Sequence, residues 1–260
     1  MKLIMSVLLS LLLAIISIKK RAINFWGTIL ATIFSIIITY CGGIYAYLIL
    51  FLTFLLTAIS SKIKVLEKNK IMIDINEKNG KKDSIQIIAN VFVGTLATVL
   101  FYFTKNMIFL TCYTAVMAAS IADSVSSEIG ILTKGNTYNI LNLKKIEKGK
   151  SGGVSFLGLF SAALVTLLYA ILYAVIIDCN IKSYLCIFLF GFLGSIFDSI
   201  MGAKFQAKYK CLKCNKITER KIHCDSKTIL YSGIKFVNND FVNISNNIFV
   251  FIITYFVLSL

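Results

Sequence analysis

Residues 153–177 read GVSFLGLFSAALVTLLYAILYAVII, twenty-five positions without one charged side chain. A helix crossing the hydrocarbon core of a bilayer needs about 20 predominantly apolar residues, so this stretch is long enough to span. Seven more stretches share its character, at about 3–18, 22–41, 43–60, 85–104, 106–124, 183–203 and 241–258. The whole chain agrees. Of its 260 residues 58% are apolar and only 15% charged, with a mean hydropathy of +0.83. Soluble domains are nearer a quarter charged, so this composition excludes a soluble globular enzyme. Proline is absent, and turns must rest on 15 glycines and on Asn, Asp and Ser. The expected fold is an all-α, polytopic transmembrane bundle of about eight spans, a single integral-membrane domain over 1–260. A small Cys/His loop at 204–239 is embedded in it.

The net charge of +15 invites a nucleic-acid reading, which its distribution rejects. Basic residues fall in alternate gaps between the apolar stretches. They follow the first (Lys19, Lys20, Arg21), the third (Lys62 to Lys82), the fifth (Lys134 to Lys150) and the seventh (Lys204 to Lys235). If every stretch crosses, 24 of the 27 basic residues lie on one side, leaving Lys2, Lys105 and Lys182 on the other. The positive-inside bias then puts those four loops in the cytoplasm and both termini outside the cell membrane. The first stretch lacks a small-x-small cleavage site and carries its charges after the apolar run, so it reads as a retained span, not a signal peptide.

Carboxylates inside apolar runs are expensive and point to function. Asp123 ends the fifth stretch, in Ala122-Asp123-Ser124-Val125-Ser126-Ser127-Glu128. A continuing helix puts Asp123 with Ser127, and Ser124 with Glu128, on shared faces. Asp198 lies at the corresponding end of the seventh stretch, after Gly191, Gly194 and Ser195, which permit close helix contact in lipid. Three carboxylates at one depth, with hydroxyls, suit Mg²⁺. Hydrogen bonds to neighbouring helices or exposure to headgroups is the plainer account of each acid alone. Between the fifth and sixth stretches runs Glu147-Lys148-Gly149-Lys150-Ser151-Gly152-Gly153. Glycines and hydroxyls among lysines, opening a helix, let backbone N–H groups face an anion, although a solvated turn is commoner and the Walker spacing is absent. Gln86 and Asn90 are i, i+4 neighbours in the fourth stretch. Asn238-Asn239-Asp240 opens the eighth.

Of seven cysteines, Cys41, Cys112, Cys179 and Cys186 are scattered in or beside apolar runs and read as small hydrophobes. Cys211, Cys214 and Cys224 cluster with His223, the only histidine. Four such ligands within 14 residues suit a tetrahedral structural Zn²⁺; the alternatives are a redox pair or unliganded thiols.

From about residue 81 onward the chain resembles the integral-membrane transmembrane protein 19 family, which includes the plant phytyl-phosphate kinase. The resemblance rests on 86–90, Ala122-Asp123-Ser124 with Ser127-Glu128-Ile129-Gly130, Glu147-Lys148-Gly149 with Ser151-Gly152-Gly153, residues 191–206 and residues 238–243. The chain departs from the family pattern at Val125, Ser126 and Lys150. Dolichol and phytol kinases are distantly similar at the acidic helix end and the lysine–glycine turn. The resemblance implies a CTP-dependent kinase that turns an isoprenyl monophosphate (phytyl, farnesyl or geranylgeranyl) into the diphosphate. Asp123, Glu128 and Asp198 would then hold Mg²⁺. Lys148, Lys150, Ser151, Gly152, Gly153 and Ser127 would hold nucleotide phosphates, and Gln86, Asn90, Asn239 and Asp240 the lipid phosphate. Cytidylyl transfer to a lipid phosphate would use the same ligands. A transporter of an anionic or lipid substrate is the alternative from another class, and an interaction protein built around the zinc loop a third.

Overall fold

The computed structural model describes residues 2–20, 23–63, 83–177 and 180–260. Lysines 64–82, Arg21 and Cys179, part of the charge and cysteine patterns above, lie outside the described residues. Among the described residues, seven helices form the bundle: α1 (Lys2–Lys20), α2 (Phe25–Lys62), α3 (Ser84–Thr104), α4 (Met107–Gly130), α5 (Phe156–Ile177), α6 (Ile181–Lys204) and α7 (Asn239–Ser259). All but α1 are long and apolar enough to cross a membrane; in α1 the apolar run Leu3–Lys19 is shorter. The chain is therefore a polytopic helical membrane bundle, as the composition requires.

Helix starts follow from capping. Ahead of α2, α3, α4, α6 and α7 stand Asn24, Asp83, Asn106, Asn180 and Asn238, whose side-chain oxygens accept from Gly27, Gln86, Ile108, Ser183 and Phe241 amides at 2.7–3.0 Å. Each cap satisfies one of the amides that a helix N-terminus leaves without an intrahelical partner, which matters most where water is scarce.

As one straight rod, α2 would measure about 57 Å at 1.5 Å per residue, nearly twice the hydrocarbon core. It is two arms meeting at Gly43, whose φ of 71° and ψ of −165° only glycine adopts readily. Gly27 abuts the Asp83 backbone and the Tyr40 ring lies 5.5 Å from Tyr102, so the first arm runs parallel to α3. On the second arm the Tyr45 ring lies 5.6 Å from Tyr173, and Thr53 meets Tyr169 hydroxyl to hydroxyl at 2.6 Å. That arm therefore runs antiparallel to α5, and the chain doubles back at Gly43.

At the centre stands α4, whose residues from Leu110 through Ala122 are all buried among α2, α3, α5, α6 and α7. Its alanines make this possible. A Cβ on Gly191 would sit 3.2 Å from Ala118 Cβ, and one on Gly194 2.7 Å from Ala119 Cβ, so small residues on both sides set the α4–α6 approach.

Two segments between helices at one end, 131–155 and 205–238, are more ordered than their composition suggests. After α4, β1 (Thr137–Asn139) pairs antiparallel with β2 (Lys145–Ile146) and β3 (Gly153–Val154). After α6, β4 (Lys208–Lys210) pairs with β5 (Ile217–Thr218) and β8 (Ile229–Ser232), while β6 (Ile222–His223) and β7 (Ser226–Lys227) form a hairpin. Strands of two to four residues carry no alternating pattern to read in advance.

Candidate functional site

A cavity of about 670 Å³ opens at the end of the bundle that carries these sheets. Its mouth gathers polar groups from five helices and two loops. Asp123, Ser127 and Glu128 come from the last turns of α4, Asp198 from α6, Gln86 and Asn90 from α3, Asn239 and Asp240 from α7, and Lys150 to Gly153 from the loop ahead of α5. Lys62 closes the second arm of α2 at the same mouth. Deeper, the walls turn apolar, with Leu13, Leu50, Phe54, Val91, Met117 and Ile121 among them.

Asp198 is 8% exposed and faces Asp123 across the α4–α6 contact, where the two side chains hydrogen-bond. Its Oδ2 has no partner among the described residues, nor has Oδ1 of Asn243, one turn along α7 from Asp240. Two facing carboxylates repel unless a proton or a cation stands between them. Among the described residues, Asp123, Glu128, Asp198, Glu219 and Asp240 line the cavity with Lys62 and Lys150. Oxygen donors of this kind, hard and partly unsatisfied, fit Mg²⁺; Asp123 and Asp198 stand where they can hold it, with Glu128 beside them.

The glycine loop packs as tightly as glycine allows. Gly152 has φ +80°, and a Cβ there would lie 2.3 Å from Ala203 Cβ at the end of α6. The Gly153 amide is already engaged, donating to Lys150 O at 3.0 Å, so the loop offers fewer free N–H groups than its composition suggests. Lys150 lines the cavity and also pairs with Glu147 at 2.9 Å. Lys148 does not line the cavity. It lies in a shallow hollow with Lys134 and Asn136, its ammonium tied to the Thr133 carbonyl. Asn90 is partly used by structure, accepting from Ser120 Oγ at 3.2 Å, while Asn247 of α7 donates to Ala89 O at 2.8 Å and ties α7 to α3.

Glu219 is a site residue that the motifs do not reveal. It follows β5, lines the cavity and accepts from Ser151 Oγ. Lys208 joins it, donating to Ala203 O at 3.2 Å and Ser151 O at 3.4 Å. Burial lowers the Lys208 ammonium below its ordinary range, with Glu219 opposing and Lys150 reinforcing the shift.

Beyond the mouth, Cys211, Cys214, His223 and Cys224 bring their ligand atoms within 4.8 Å of one another. In this cluster the Cys211 thiol is pulled down to about 6, chiefly by the Cys214 backbone N–H, while local desolvation within the cluster and then the neighbouring Cys214 and Cys211 thiols push Cys224 up to about 11.

Residues 8–251 match the family described as Integral membrane protein DUF92. The chain belongs to that family. An uncharacterized membrane protein of Methanocaldococcus jannaschii is 30% identical over 208 residues, covering 80% of this chain and 84% of that protein. Protein PGR of Arabidopsis thaliana is 29% identical over 269 residues, 93% of this chain and 91% of its own length. No solved structure matches the chain. DUF92 membership is consistent with the resemblance read from the motifs; it carries the fold and the membrane location and does not extend to a kinase activity.

Proposed function

We propose that this DUF92 protein is a CTP-dependent isoprenyl-phosphate kinase of the cell membrane, with eight crossings, both termini outside and the cavity mouth in the cytoplasm. One observation carries the reading: a single cavity joins an acidic, amide-lined mouth to an apolar interior between helices. A lipid phosphate needs both, its head among polar groups and its tail among Leu, Phe and Val. The basic loops at the mouth end favour the cytoplasmic side, where nucleotide is found.

In this mechanism Gln86, Asn90 and Asn239 orient the lipid phosphate, with Asp240 beside them. Lys150 and the remaining Ser151 and Gly152 amides take the nucleotide phosphates, with Ser127 at the rim. A phosphate oxygen of the lipid attacks the γ-phosphorus of CTP, the bond from that phosphorus to the β-bridging oxygen breaks, and CDP leaves. No general base is required, because a phosphate monoester is ionised near neutrality and is itself the nucleophile. Phosphoryl transfer asks the protein mainly for positioning and charge neutralisation. Mg²⁺ on Asp123, Asp198 and Glu128 would supply such neutralisation beside Lys150.

The test is purified protein with Mg²⁺, labelled CTP and a panel of isoprenyl monophosphates. CDP with a lipid diphosphate supports the kinase; pyrophosphate would identify cytidylyl transfer; net uptake into vesicles without a nucleotide product would identify a carrier. Turnover absent across the whole panel overturns the enzyme reading.

A further inference from the structure

The Cys/His cluster takes no part in that chemistry, yet its construction is specific. Cys211 and Cys214 sit in the turn joining β4 to β5, where Asn215 N donates back to Cys211 O at 2.9 Å and Cys211 N to Lys216 O at 3.0 Å. His223 and Cys224 lie at the β6–β7 hairpin, whose two central residues, Cys224 and Asp225, both have positive φ, 51° and 54°. A two-residue turn with both φ positive is the type I′ geometry, which normally selects Asn or Gly. Cysteine there is a left-handed non-glycine residue, a conformation that persists only where its surroundings enforce it. The turn explains how adjacent residues serve one centre, since it folds the Cys224 thiol back toward the His223 ring.

The distances have the scale of a tetrahedral site. His223 Nδ1 lies 3.5 Å from Cys214 Sγ and 3.2 Å from Cys224 Sγ. With Zn–S of about 2.3 Å and Zn–N of about 2.0–2.1 Å, the ligand-to-ligand edges of a tetrahedron are about 3.6–3.8 Å. Cys211 is fully buried and His223 nearly so, while Cys214 and Cys224 are exposed. The 205–238 segment leaves much of its apolar material unburied, with Leu212, Ile222, Tyr231 and Phe236 all exposed, and a four-ligand ion supplies folding free energy to such a segment directly.

The same hairpin reaches the cavity. Its register pairs Lys210 with Ile217 and Tyr209 with Thr218, which makes Lys208 and Glu219 the next pair outward from the Cys211–Cys214 turn. Those are the two residues that grip Ser151.

We propose that Cys211, Cys214, His223 and Cys224 bind one structural Zn²⁺, and that this ion, by closing the tip of the β4–β5 hairpin, holds Lys208 and Glu219 against the 150–153 loop. Glu219 is a positioning residue. All four coordination places are filled by protein, so the ion binds no substrate. Three thiolates and a neutral imidazole leave the centre at a net charge of −1, which the surrounding lysines and Arg220 offset. The site stands apart from the kinase chemistry and is measured without turnover.

The experiment uses the full chain purified in detergent under reducing, chelator-free conditions. Metal analysis gives about one zinc per chain, and Cys211→Ser with Cys214→Ser loses it while Cys41→Ser retains it. Cobalt exchanged into the wild-type protein gives the intense visible bands of tetrahedral thiolate coordination. Chelation of the wild-type protein accelerates amide hydrogen exchange at least tenfold in both 205–220 and 149–154 and leaves α4 unchanged. Glu219→Gln keeps its zinc but loosens 149–154. Wild-type protein with less than a tenth of a zinc per chain, or without those cobalt bands, overturns the site. Zinc present but 149–154 unmoved by chelation overturns the coupling. Both measurements are made on the wild-type chain, so they stand whether or not the double variant folds.

Discussion

The two ends of the bundle treat their polar groups in opposite ways. From mid-bundle to the end away from the sheets, hydroxyls pair off. Tyr45 meets Thr114 at 2.8 Å, Thr111 meets Tyr173 at 2.7 Å, Thr53 meets Tyr169 at 2.6 Å, and Tyr113 donates to the Ala46 carbonyl at 2.7 Å. These rings are buried, and each of these hydroxyls has a partner on another helix, whereas Thr254 Oγ1 at that end has none among the described residues. At the sheet-bearing end, carboxylates and amides face a cavity, with Asp198 Oδ2 and Asn243 Oδ1 unpartnered among the described residues. Buried polar groups in native proteins are nearly always satisfied, so the first set reads as structure and the second as ligands held ready.

The comparison is broken most severely if the acids prove structural. Asp123→Asn or Asp198→Asn should lower lipid-phosphate turnover about 1,000-fold, roughly 4 kcal/mol of transition-state stabilisation, while thermal unfolding stays at or above the wild-type temperature because a like-charge contact has been relieved. Loss of folding with either change would place the pair on the structural side. Next in size, Gly152→Val forces a β-branched residue into positive φ against Ala203. Its expected effect is about 3 kcal/mol of local stability, read as lost exchange protection at 149–154, with the paired tyrosines unaffected. Lys150→Ala should raise the KM for CTP about tenfold, near 1.4 kcal/mol, and Lys148→Ala should change it less than about twofold, as expected for a side chain with little more than a surface role; equal effects would deny the asymmetry between the two lysines. The smallest effect belongs to the paired end. Tyr113→Phe removes one interhelical hydrogen bond, worth about 1 kcal/mol in a membrane bundle, and should lower the melting temperature by about 2–4 °C with kcat unchanged.

How much of this is legible in the sequence depends on contrast. Apolar runs stand out against a charged background, and Asp123 and Asp198 stand out against the apolar runs; both signals are local. The reversal in α2 is visible because Gly42 and Gly43 interrupt a run too long for one crossing. Gln86 and Asn90 announce themselves as amides in lipid. Glu219 gives no such signal, since a carboxylate in a polar loop looks like any solvated acid until the β4–β5 hairpin carries it to Ser151. Lys148 and Lys150 are indistinguishable for the same reason: two-residue strands decide which faces the cavity. The engagement of the Gly153 amide by Lys150 depends on a turn whose residues do not specify it uniquely.

The doubling-back at Gly43 also bears on how the molecule is made. The described connections at the end away from the sheets are minimal: Gly43 itself and residues 105–106, while α5 ends at Ile177 and α6 begins at Ile181. In the proposed orientation, almost no hydrophilic chain has to be carried across the lipid barrier between these helices during synthesis, and the turn at Gly43 carries no charge. The ordered sheets and nearly all the ionised side chains then stay on the side of translation, and the opposite compartment would meet little more than these tight turns.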